Sequence, residues 1–119
     1  MTTTQLGLEM VDLVASLKAL VPPARVLDKM TYSPWVNGKL HKTLLEDGID
    51  TVVLSGGETD VCVQAAALGA VDLGYKVIVL KNAVCSRADG AHDDSLELLG
   101  ARYLVQLEII QTEAFLSVA

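Results

Sequence analysis

The spacing of apolar residues changes character several times along the chain. Leu6, Met10, Leu13, Val14, Leu17 and Val21 recur at three- and four-residue steps, which predicts an amphipathic helix over residues 5–20 that Pro22 and Pro23 end. Glu9 and Asp12 fall on its solvent side. Residues 25–29 read as a short strand, and residues 38–48, with Leu40, Leu44 and Leu45 on one side, read as a helix stopped by Gly48. Thr51, Val52, Val53 and Leu54 form an apolar, β-branched run too short for a helix and bounded by Gly56 and Gly57, hence a buried strand. A helix over residues 60–73 follows, Ala-rich at 65–67 and stopped by Gly74. Residues 77–80 predict the next strand and 81–90 a loop. A helix carrying Leu96, Leu98 and Leu99, a strand within 103–110 and a last helix opening at Thr112 complete the order αβαβαβαβα.

Alternating units with all-apolar strands predict a doubly wound parallel sheet of about four strands, a Rossmann-like three-layer α/β/α arrangement with right-handed crossovers. No linker or repeat interrupts residues 1–119, which read as one domain. In such sheets ligands collect beyond the carboxyl ends of the strands. That rule selects three loops, at residues 30–37, 56–59 and 81–90.

Charge and composition narrow the partners. Nine Lys and Arg against 15 Asp and Glu give a net charge of -6, which leaves no basic surface for a phosphate backbone, so nucleic acid is not an expected partner. The charge-free run at residues 61–71 is 11 residues long, well short of the roughly 18 needed to cross a bilayer, and no membrane association is expected. The first residues lack the basic start of a secretory or transit segment, so a cytoplasmic location is expected. Cys62 and Cys85, the only cysteines, read as reduced thiols, with Cys85 packed rather than reactive.

The segment LSGGETDVCV sets Cys62 in the first turn of a helix that follows a buried strand and a Gly-Gly turn. Free amide hydrogens and the positive end of the helix dipole favour a thiolate at such a position. The glycines permit a sharp turn, so the Glu58 and Cys62 amides can both face a developing oxyanion. Spacing alone favours a small buried helix residue, because free cysteine is among the most buried types.

Three further stretches resemble one family. VLDKMTYSPW, GIDTVVLSGGETDVCVQAAALGAVDLGYKVIVL and the late HDDSLELL stand in the order found in the isochorismatase-like cysteine hydrolases, over about residues 24–119. The resemblance implies that Cys62 is the nucleophile, preceded at the family's spacing by Gly56 and Thr59. It implies a cis peptide joining Gly57 to Glu58, and a role for Lys29, whose ammonium would hold negative charge beside the sulfur. Tyr32 and Trp35 then become candidate substrate-binding walls. No cofactor is expected, and no metal, since the nicotinamidase-type zinc ligands belong to a part of the fold absent from this sequence and His41 and His92 are widely separated. Both histidines read as solvent-facing helix residues.

The resemblance also marks a departure. The family's general-base aspartate stands on a first strand that this sequence does not contain, so the domain is expected to be incomplete at its N-terminus. Asp28 points to the opposite face from Lys29. Asp60, two residues before Cys62, turns away and is expected to cap the helix. A gap in the sheet would leave an apolar strand edge that invites a second copy or a complementing chain. The leading reading is a cysteine hydrolase acting on a small amide or related C–N bond through a covalent Cys62 intermediate. The alternatives are a catalytically silent, truncated remnant serving as an oligomerisation or interaction module, and a thiol redox module using Cys62 and Cys85.

Overall fold

The computed structural model describes residues 15–103 and 105–118. Helix α1, Ala15–Lys18, falls within the helix predicted over 5–20, and Ala19 and Leu20 beyond it are turn. Glu9, Asp12 and the other residues before Ala15 lie outside the described residues. Helix α2 spans Lys39–Glu46, strand β1 Thr51–Gly57, helix α3 Gln64–Asp72, strand β2 Lys76–Cys85, helix α4 Asp89–Arg102, strand β3 Leu107–Ile110 and helix α5 Thr112–Val118. A π-helical turn, Thr59–Val63, leads into α3.

The three strands form one parallel sheet in the order β1-β2-β3, an open α/β layer of the kind the alternating pattern predicts. Val77, Val79, Leu99, Ala67 and Ala70 are fully buried. They form one cluster with Val63, Tyr75, Val84, Leu96 and Leu107. Burying a Val or Leu side chain contributes about 1.5–3 kcal/mol. Alanine at two successive turn positions of α3 lets that helix lie close against the sheet. Both α2 and α3 end where a glycine takes up positive φ, Gly48 at 70° and Gly74 at 92°. The following amide then reaches back across the last turn, Ile49 N to Leu44 O at 2.9 Å and Tyr75 N to Ala70 O at 3.0 Å.

Three expectations change. Residues 25–29 are extended and exposed but join no ladder, because backbone this open becomes a strand only when a neighbour supplies its hydrogen bonds, and none of the described strands does. The sheet therefore has three strands among the described residues, not about four. Strand β2 runs on through the region expected as a loop: Leu54 pairs with Val79, yet Gly56 pairs with Val84 and Gly57 with Cys85. Between those pairs β2 advances five residues while β1 advances two, so extra chain bulges out and the Gly-Gly pair sits inside the ladder. On α2, Leu45 is exposed and His41 takes its place on the inward face with Leu40 and Leu44.

Candidate active site

Parallel neighbours bring their carboxyl ends to the same edge, so the turn after β1 and the loop after β2 meet there. The Gly57–Glu58 peptide is cis. Beyond it the backbone opens into a wide turn, in which the Glu58 carbonyl accepts from both Val61 N at 3.2 Å and Val63 N at 3.0 Å. Turns of this width are frequent at functional sites. Cys62 lies in this turn, half-buried and free of any disulfide.

Lys29 reaches the same place from the extended segment 25–29. Its Nζ stands 4.0 Å from Cys62 Sγ and donates to Thr31 O at 2.6 Å. The sequence separation is 33 residues, so this meeting is a product of the fold. Lys29 and its neighbour Asp28 also line a groove of about 440 Å³ with Pro34, Asn37, Lys39 and Leu40. One ammonium thus borders both the thiol and an open cleft.

The loop after β2 grips the turn. Ser86 Oγ donates to the Asp60 carboxylate at 2.8 Å and accepts from Asp60 N at 3.3 Å. Arg87 N donates to Glu58 Oε1 at 3.1 Å, which draws the Glu58 side chain toward that loop. Asp60 makes no helix cap, contrary to expectation, because the wide turn begins at Glu58 and Ser86 claims its carboxylate. Thr59, fully buried, hydrogen-bonds His92 Nδ1 through Oγ1 at 2.8 Å. His92 is therefore half-buried and engaged where a solvent-facing residue was expected.

His41 departs in the same way. Its Nδ1 is 2.7 Å from the Tyr75 hydroxyl, and its ring meets Trp35 and Tyr75 edge-on. Trp35 is half-buried, stacked on Tyr75 at 5.4 Å between ring centroids, with Nε1 donating to Ala66 O at 2.9 Å. Tyr32 is 69% exposed. Cys85 is exposed instead of packed, since the extended β2 carries it out to the carboxyl edge beside Gly57. Thr59 was marked by the family's spacing, but Ser86 and the Arg87 amide were not identifiable within their loop. The signal for them is topological: whatever follows β2 by one or two residues lands beside whatever follows β1. Among the described residues no three His, Cys, Asp or Glu side chains converge as a metal site, and no helix is long and apolar enough to cross a membrane.

A parallel α/β layer that gathers a thiol, an ammonium group and a bent strand-to-helix turn at one edge falls in the class that places small-molecule sites at the carboxyl ends of its strands. Within that class the match is specific: residues 1–111 fit the Isochorismatase domain, and the chain belongs to this family of isochorismatase-like hydrolases. Maleamate amidohydrolase of Pseudomonas putida is 33% identical over 93 residues, covering 76% of this chain and 44% of that protein. The crystal structure of a pyrazinamidase/nicotinamidase from Streptococcus mutans superposes with a TM-score of 0.65 at 37% identity, covering 71% of this chain and 45% of the other. An isochorismatase-like hydrolase from Alkaliphilus metalliredigens gives 0.69 at 28% identity, covering 82% and 55%. The chain spans about half the length of these relatives.

Proposed function

We propose that this chain carries the nucleophile-bearing part of an amide hydrolase, with Cys62 attacking the carbonyl carbon of a small amide. The observation that carries the reading is the 4.0 Å approach of Lys29 Nζ to Cys62 Sγ at the cis turn. A cation at that range can hold negative charge that builds on the reacting atoms, and the thiol beside it is the nucleophile.

The sulfur's electron pair forms a C–S bond while the carbonyl π pair moves onto oxygen. The Glu58 and Cys62 amides, with the Lys29 ammonium, hold that oxyanion. Collapse of the tetrahedral species expels the amine, which takes a proton from solvent, and leaves a thioester on Cys62. Water then hydrolyses the thioester to a carboxylic acid and the free thiol. Tyr32, the exposed aromatic of the Lys29 loop, forms one wall of the substrate site. The amide-directed names of the Pseudomonas and Streptococcus relatives support a small primary amide as substrate class.

Ammonia release from nicotinamide and maleamate, read by a coupled dehydrogenase assay, tests the reading. The chain is expected to release ammonia from at least one small primary amide, and Cys62→Ala is expected to release none. Turnover that survives Cys62→Ala, or no turnover with any small amide, contradicts it.

A further inference from the structure

Lys29 has no ladder to hold it, since residues 25–29 lie outside the sheet and are exposed. An exposed, unpaired segment samples many conformations, and a lysine on it loses most of its effect on a sulfur several ångströms away. Something else must fix the loop. One end is tethered by Arg25 Nη2 to Asp47 Oδ2 at 2.5 Å, an exposed ion pair of small energetic weight.

The other end has a more specific anchor. Lys29 Nζ donates to Thr31 O at 2.6 Å, Thr31 Oγ1 donates to Ser33 O at 2.6 Å, and Ser33 Oγ accepts from Trp35 N at 3.2 Å. Trp35 Nε1 then donates to Ala66 O at 2.9 Å. Ala66 lies four residues after Cys62, about one turn further along the continuous helical segment that starts at Thr59. The contacts therefore close a ring that leaves Cys62 along the helix, crosses at Trp35, returns through the loop and meets Cys62 again at Lys29.

Gly69 makes the crossing possible. A Cβ at that position would fall 2.3 Å from Trp35 Cδ1 and 3.0 Å from Nε1, so the indole occupies the space a side chain would take. Both surfaces are committed: the ring stacks on Tyr75 on one side and covers Gly69 on another.

We propose that Trp35 and Gly69 form a latch that positions Lys29 against Cys62, with Trp35 acting as a positioning residue. The proposal rests on the reading of Lys29 as the ammonium that assists Cys62. Removing the latch leaves both side chains in place chemically and separates them in space.

A short amine-to-thiol cross-linker, succinimidyl iodoacetate, reads that separation, with the Lys29–Cys62 product quantified by peptide mass spectrometry. Trp35 is the only tryptophan, so its fluorescence reports the docking of the indole independently. Overfilling a packed contact costs enough to shift a population about tenfold. Gly69→Ala is expected to red-shift the emission and to lower the Lys29–Cys62 cross-link about tenfold with the far-ultraviolet circular dichroism unchanged. Trp35→Phe keeps the stacking and loses the Ala66 hydrogen bond, and about a threefold loss of cross-link is expected. If Gly69→Ala does not fold, Trp35→Phe decides alone.

An undocked indole with an undiminished cross-link overturns the latch, as does a folded Trp35→Phe protein that cross-links like the parent. Equal amide turnover by the parent and Lys29→Ala overturns the catalytic reading of Lys29 instead, and the cross-link still decides the latch.

Discussion

Replacing Lys29 by alanine removes the one cation found against Cys62 among the described contacts, and the size of the effect follows from the 4.0 Å separation. Two unit charges at that distance interact by about 1 kcal/mol in bulk water and by about 4 kcal/mol at an effective dielectric constant of 20. Lys29 is exposed and Cys62 half-buried, so screening keeps the pair near the water limit. About 1 kcal/mol is roughly a fivefold change in the rate of a step whose transition state carries negative charge beside the ammonium. Ammonia release from a small primary amide is therefore expected to slow about fivefold in Lys29→Ala. The assay uses a Cys85→Ser background, because Cys85 is a second exposed thiol. Raising the salt from about 0.05 M to about 1 M shortens the screening length to about 3 Å and is expected to shrink the difference. A Lys29→Ala protein that is folded and releases ammonia at the parent's rate in low salt refutes this electrostatic role.

Other substitutions test the scaffold around the thiol. Leu99→Ala empties a fully buried position in the core and is expected to lower the unfolding free energy by about 2–5 kcal/mol, measured by urea titration. Thr59→Val keeps the shape of a buried side chain but strips His92 Nδ1 of its partner, an expected loss of about 1–3 kcal/mol in the same titration. Thr59→Ser, which retains the hydroxyl, is expected to recover most of that loss, and no recovery would mean the hydrogen bond is not the cause. Ser86→Ala breaks an exposed contact with Asp60, so a stability change below about 1 kcal/mol is expected together with a several-fold fall in amide turnover as the cis turn loosens.

The alternation of apolar runs made the parallel α/β layer legible in the residues themselves, because β1 opens on the apolar, β-branched run Thr51–Leu54 and α2 carries a period-3.6 stripe. Cys62 and Lys29 were legible as a pair only through family motifs, since nothing local links residues 33 positions apart. Where the reading went astray, partnership decided. Residues 25–29 have strand composition, but strand is a property of the ladder. His41 and His92 have the polarity of surface residues, yet each stands opposite a hydroxyl, Tyr75 and Thr59, that only the folded layer brings near. Trp35, a candidate wall of the substrate site, has its indole engaged on Gly69, Ala66 and Tyr75, a set drawn from α3 and from a residue three positions beyond its end.

Carbon–sulfur bond formation at Cys62 is the central step of the proposed reaction. Rapid acid quenching of the chain mixed with a small primary amide, followed by peptide mass spectrometry, looks for that bond directly. The expected result is the mass of the acyl group on the Cys62 peptide, discharged by hydroxylamine. Amide hydrolysis with an unmodified Cys62 peptide at every quench time, or an acyl group carried by Cys85 instead, would contradict it.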